Sequence, residues 1–191
     1  MHSDKRALIL LDLQHDFLRL DGRLPIEAAQ MGTVIDAANA AIGQAEEADV
    51  PVIAIRNAFP PSDWLRNLFR RHAAMAGSPG AEWDARVPLG SAPVFDKGVA
   101  DAFSTPALGR HLRRAQVDHL IVGGVFASAC VSATVRSAIE RGFRVTLLEP
   151  AIGDSSQPRK ARAMRRLAEL GATVASGMDR TSPAPVLERD S

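Results

Sequence analysis

Residues 7–13 form an aliphatic run, Ala-Leu-Ile-Leu-Leu-Asp-Leu, broken only by Asp12. An apolar run without period-two alternation reads as a strand covered on both faces, the pattern of a parallel sheet packed between helices. The rest of the chain repeats the theme. Residues 50–56, 92–96, 117–123, 143–148 and 171–175 read as five further strands. Between them lie four helical stretches. Residues 27–48 are rich in alanine and carry Met31, Val34, Ile35, Ala38 and Ile42 at helical spacing. Residues 105–114 have Pro106 in the first turn, 131–141 follow the only cysteine, and a basic stretch capped by Ser155 or Ser156 runs to Leu170. The alternation predicts an α/β fold, a doubly wound, mainly parallel six-stranded sheet with helices on both faces.

At 191 residues the chain is long enough for one domain with a sizeable core, and 1–191 is read as that single domain. Residues 57–91 break the pattern. They carry Pro60, Pro61, Pro79 and Pro88, with one helix expected over 62–75, and a long irregular segment of this kind marks a variable, substrate-side insertion. Residues 177–191, with Pro183 and Pro185, read as a flexible tail. A formal net charge of +1 gives no reason to expect nucleic acid or a membrane surface as partner. One cysteine cannot form an internal disulfide. Asp4, Lys5 and Arg6 precede an apolar run too brief for a signal peptide or a membrane span, so a cytoplasmic location is expected.

In open parallel sheets, ligands bind beyond the C-terminal ends of the strands. Three chemically capable residues fall at such ends: Asp12 after the first strand, Lys97 after the third, and Cys130 after the fourth. A lone cysteine is by default a small buried hydrophobe, but this one also precedes a helix. Asp12 in an apolar strand is a costly charge unless it is paired, and Lys97 is its natural partner. Lys97 and the helix start favour the Cys130 thiolate, and Asp12 can accept the thiol proton and return it to a leaving amine. None of the five histidines has a place in this scheme; His15 is nearest and reads as solvated or structural.

These features resemble those of the isochorismatase-like cysteine hydrolases. The first strand of that family carries Asp-x-Gln-x-Asp-Phe, here Asp12-Leu13-Gln14-His15-Asp16-Phe17. A Lys shortly before an Ala-Phe-x-x-Pro-x-Leu stretch is Lys97, ahead of Ala102-Phe103-Ser104-Thr105-Pro106-Ala107-Leu108. Gly-Val-x-x-x-x-Cys-Val-x-x-Thr is Gly124 to Thr134, followed by Arg141-Gly142. The resemblance spans about Arg6 to Ala175. It implies an Asp12–Lys97–Cys130 triad, a cis Val125–Phe126 peptide, and an oxyanion hole from the N–H groups of Phe126 and Cys130. It also implies a small-molecule substrate, amide or carbamoyl hydrolysis through a thioester, and a homo-oligomer, dimer or tetramer, in which a neighbouring subunit helps to line the pocket. Nicotinamidases of this family hold a metal through Asp-x-His and a second His after the second strand. Here that region reads Arg56-Asn57-Ala58-Phe59-Pro60-Pro61, and His72 stands alone, so neither metal nor cofactor is expected.

The expected function is therefore a metal-independent cysteine hydrolase of the C–N bond of a small amide, ureido or carbamoyl compound. Two alternatives stay open: isochorismate-type vinyl-ether hydrolysis, which needs the Asp as acid but no nucleophilic sulfur, and a flavodoxin-like receiver or binding module. Phe17, Asn57 and Trp64 are candidate pocket residues, with core or helix packing the plain reading of the two aromatics. Gln14 and Asp16 fit local hydrogen bonding better than substrate contact. Asp101 reshapes the pocket or caps a helix. Arg159, Lys160, Arg162, Arg165 and Arg166 read as a solvated helix face.

Overall fold

The structure is a computed structural model that describes residues 5–178. Six strands, β1 (Arg6–Leu11), β2 (Val52–Asn57), β3 (Val94–Lys97), β4 (His119–Val125), β5 (Arg144–Gly153) and β6 (Thr173–Ala175), form one sheet in the order β3-β2-β1-β4-β5-β6. Every pairing is parallel. The helices are α1 (His15–Leu18), α2 (Ala28–Glu47), α3 (Trp64–Phe69), α4 (Pro106–Arg114), α5 (Ser132–Glu140) and α6 (Gln157–Glu169).

Because β1 is buried on both faces, alternate residues feed two cores. Ala7, Ile9 and Leu11 join Leu108, Leu112, Val135, Met164 and Leu167, so α4, α5 and α6 cover one face. Leu8 and Leu10 join Met31, Val34, Ile35, Ala38 and Ile42 of α2 on the other. The chain winds outward from β1 through β2 to β3, then crosses back to β4 and winds the other way. Strand order therefore reverses between β1 and β4, which opens a crevice at their C-terminal ends.

Several sequence expectations shift at their ends. β1 stops at Leu11, because Asp12 adopts φ 58° and leaves the strand. β5 runs on to Gly153, past a register shift opposite Val122/Gly124. The helix expected over 62–75 is only Trp64–Phe69, because Arg71, His72 and Ala74 all take left-handed backbone conformations that end it. The expected tail lies, from residue 179 on, outside the described residues. No helix among the described residues is long and apolar enough to cross a membrane.

Gly124 pairs with Leu11 where β4 runs beside β1. Its φ is 127°, and a Cβ there collides with the Leu11 main-chain carbonyl. Gly32 in α2 faces open space. Gly124→Ala is expected to cost about 3 kcal/mol or more through strain and overpacking, read as a fall in melting temperature of roughly 6–12 °C for a domain of this size. Gly32→Ala is expected to leave stability unchanged or raise it by about 0.5–1 kcal/mol. Thermal unfolding followed by circular dichroism checks both.

Candidate active site

Four adjacent strands each deliver one polar side chain to the crevice. Lys97 closes β3, Asn57 closes β2 and pairs with it in register, Asp12 follows β1, and Cys130 follows β4. All four are buried: Asp12 is 0% exposed, Asn57 2%, Lys97 2% and Cys130 7%. Lys97 spans the width of β2, and its ammonium is the hub. Nζ donates to Asp12 Oδ2 at 2.9 Å, to Asn57 Oδ1 at 2.6 Å and to Cys130 Sγ at 3.3 Å. Asn57 closes the ring, with Nδ2 donating to Cys130 Sγ at 3.6 Å. The three donors of an ammonium are thereby all used.

Local structure sets each of these groups. The left-handed turn at Asp12 is fixed by its own N–H, which donates to Ile55 O at 2.8 Å, and by its carbonyl, which accepts from Gln14 N at 2.8 Å. Gln14 is fully buried and treats the Asn57 main chain as a strand partner. Its Oε1 accepts from Asn57 N at 2.9 Å, and its Nε2 donates to Asn57 O at 2.8 Å and to Ala81 O at 2.6 Å. Cys130 lies in a wide helical turn, Ala127–Val131, that leads directly into α5. The residue is thus inside the start of the helix rather than ahead of it. The Val125–Phe126 peptide that enters this turn is cis. Among the described residues, neither the Phe126 nor the Cys130 N–H donates to a backbone carbonyl outside the turn.

Burial dominates the electrostatics. It raises the Asp12 carboxyl above the ordinary carboxylate range, and Lys97 offsets only part of this. Burial also works against the Lys97 ammonium, but Asp12 and Cys130 together outweigh it, so Lys97 holds its proton more tightly than usual. The Cys130 thiol is pushed up to about 12, first by burial and then by the negative charge of Asp12, against which Lys97 and Asn57 pull. Lys97 pulls toward the thiolate, as expected, but does not prevail. The sulfur rests as a thiol, because loss of solvent outweighs one neighbouring cation. Asp12 Oδ1 is buried and has no hydrogen-bond partner among the described residues, which leaves an open acceptor.

The remaining candidates sort by contact. Phe17 is buried and meets the Phe126 ring edge-on, 5.4 Å between centroids, beside the Cys turn. Trp64 is 69% exposed on α3. Asp16 is structural: it accepts from Arg23 N and Ala74 N and so pins the irregular segment. His15 Nδ1 faces Pro79 O at 3.1 Å. Arg56 forms a two-pronged pair with Asp96. Asp101 is a cap, accepting from Phe103 N and from Ser137 Oγ of α5. Ser156 takes the N-cap position of α6 without a side-chain cap bond. Within the basic stretch, Lys160 departs from the solvated reading, since it is buried and pairs with Glu149 at 2.9 Å.

The proton on Cys130 gives a direct test. Alkylation by iodoacetamide requires the thiolate, so in the wild type its rate is expected to climb with pH toward a midpoint at about 12. Asp12→Asn removes a charge that raises the thiol and keeps Lys97, so the midpoint moves to lower pH. An unmoved or higher midpoint would mean that Asp12 does not hold the thiol in its protonated form.

The donor set does not fit a metal ion. The side chain of Asn57 is committed to Lys97 and Cys130, Phe59 is buried in the core under α2, and His72 is exposed on the insertion. Among the described residues no three His, Cys, Asp or Glu side chains form a group that could hold a metal ion. Comparison with known proteins gives one family. The chain is 30% identical over 175 residues to streptothricin hydrolase of Streptomyces noursei, covering 86% of this chain and 58% of that protein, so it spans well under two thirds of that relative. It is 27% identical over 202 residues to nicotinamidase of Escherichia coli strain K12, covering 88% of this chain and 93% of the relative. The pyrazinamidase of Pyrococcus horikoshii in complex with zinc superposes with a TM-score of 0.79 at 26% identity, over 90% of this chain and 98% of that one. With residues 6–179 matching the Isochorismatase domain, this chain belongs to the isochorismatase family.

Proposed function

We propose that this chain is a metal-independent cysteine hydrolase cleaving the C–N bond of a small amide, ureido or carbamoyl compound through a thioester. One observation carries the reading: a single buried ammonium holds a carboxylate and a thiol within hydrogen-bond reach at the crevice where strand order reverses. A basic carboxylate beside a nucleophilic sulfur, shielded from water, is the apparatus of acyl transfer. Similarity to proteins named nicotinamidase and pyrazinamidase supports a C–N bond as the target.

In this mechanism the Sγ–H bond breaks as sulfur attacks the substrate carbonyl carbon, and the proton passes to Asp12, whose Oδ1 is open. Burial makes Asp12 the stronger base for that task. Lys97 and Asn57 stabilise the charge appearing on sulfur. The N–H groups of Phe126 and Cys130 receive the oxyanion, where one such donor is typically worth on the order of 10²–10³ in rate. Asp12 then returns the proton to the departing nitrogen. A water molecule, deprotonated by Asp12, attacks the thioester, and the released sulfur recovers its proton from Asp12.

The vinyl-ether alternative needs Asp12 but not the sulfur, and the receiver alternative needs an acidic cluster. Neither uses the contacts that Lys97 and Asn57 make to Cys130. A panel of small amides and ureido acids, assayed by ammonia release, tests the class. With a responsive substrate, Cys130→Ala is expected to fall to assay background while keeping its melting temperature, since it removes the nucleophile and little volume. Asp12→Asn is expected to lose about 10²–10⁴-fold in kcat. Full turnover by the Cys130 variant would sink acyl-enzyme chemistry. Prolonged chelation is expected to leave activity intact, and activity lost to chelation and restored by a divalent ion would overturn metal independence.

A further inference from the structure

Asp154 follows β5 directly and is 0% exposed, yet no step above uses it. An isolated carboxylate at that depth is costly, so its partners indicate what it is for. Its Oδ2 accepts from Ser128 N at 2.7 Å. Its Oδ1 accepts from Ser155 N at 2.7 Å and from Ser155 Oγ at 3.1 Å, and lies 3.4 Å from Arg159 Nε. Its main chain is equally constrained. Asp154 N donates to Gln30 Oε1 at 3.1 Å, and Asp154 O accepts from Glu27 N at 2.9 Å, both at the start of α2. Gly153, just before it, is paired with Val125 in the β4–β5 ladder. The carboxylate is therefore a fixed point.

Ser128 lies in the wide turn two residues before Cys130. Two other N–H groups of that turn are held internally: Ala129 N and Val131 N both donate to Phe126 O, at 3.0 and 3.1 Å. Ser132 Oγ closes the turn onto Ala127 O at 2.6 Å. Ser128 N is the turn's tether to the strand beyond, and Arg159 Nη2 donates to Ser128 Oγ at 3.3 Å from outside. We propose that Asp154 is a positioning residue for the nucleophile. It fixes the Ala127–Val131 turn against β5, and so sets where Cys130 Sγ stands relative to Lys97 and where the Phe126 and Cys130 N–H groups point. It also withdraws the Ser128 N–H from the set of donors at the mouth of the turn. The consequence for turnover rests on the cysteine-hydrolase reading; the effect on the thiol does not.

The experiment follows both. Asp154→Asn keeps the volume but replaces one acceptor oxygen with a donor, so the Ser128 and Ser155 N–H groups can no longer both be satisfied. In a variant that retains the wild-type melting temperature within a few degrees, the Cys130 alkylation rate at fixed pH is expected to rise several-fold as the turn loosens. With an amide substrate, kcat is expected to fall about 10- to 100-fold with KM within about twofold, the scale of a misplacement near 1 Å. If Asp154→Asn does not fold, Arg159→Ala with Ser155→Ala removes the side-chain groups at Oδ1 while leaving the Ser155 N–H, and the same opposed changes are expected at smaller size. Unchanged alkylation and kcat in the folded variant would overturn the proposal. If no amide is turned over by the wild type, the alkylation arm still decides the role of Asp154, and the failure belongs to the hydrolase reading alone.

Discussion

A buried ammonium is the constraint around which this site is built. Lys97 Nζ has left water and needs three acceptors in its place, and it has them in Asp12, Asn57 and Cys130. Removing one partner of such a buried pair typically costs about 3–5 kcal/mol, because the other charge is left uncompensated. Asp12, the charged acceptor, is consequently bound to its position by stability as well as by chemistry. The sheet makes the arrangement possible. Four parallel strands ending at one edge place four side chains side by side, and the long lysine reaches from β3 to the groups that follow β1 and β4.

The same edge organises the irregular segment. Gln14, Asp16 and Gly80 tie it to the strands. Gln14 spans Asn57 and Ala81, Asp16 holds the Ala74 N–H, and a Cβ on Gly80 would overlap the Asp16 carboxylate. Two polar side chains in the stretch after β1 thus hold the irregular segment in place. This explains why they are buried without being part of the four-residue cluster.

The fold was legible because a parallel sheet leaves runs such as 7–13 and 119–125 apolar on both faces, and the intervening helices carry a clear period. The edge holding Asp12, Lys97 and Cys130 was legible for a related reason: each is a reactive side chain directly after an apolar run. What escaped was set by three-dimensional context. An Asn at a strand end carries no mark that it will bridge an ammonium and a thiol. The protonation of Cys130 depends on desolvation, which has no sequence signature, whereas the nearby lysine and helix start were visible and pointed the other way. The helix over 62–75 was overextended because nothing in Arg71-His72-Ala73-Ala74 announces left-handed backbone. Asp154 did leave a trace, an acid followed by two serines directly after the apolar Ala151-Ile152-Gly153, but that pattern equally describes an ordinary helix cap.

Lys97 has a consequence for charge accounting across the proposed cycle. At rest the cluster holds one positive and one negative charge, on Lys97 and Asp12, beside a neutral thiol. Once the thiol proton reaches Asp12, the negative charge has moved to sulfur, which Lys97 also touches. The buried total is zero before and after, and the cation never changes owner. The site can therefore generate a thiolate in the interior without admitting an ion from outside or stranding a net charge in a medium that cannot screen it. The fixed ammonium acts as a pivot about which one negative charge swings over a few ångströms.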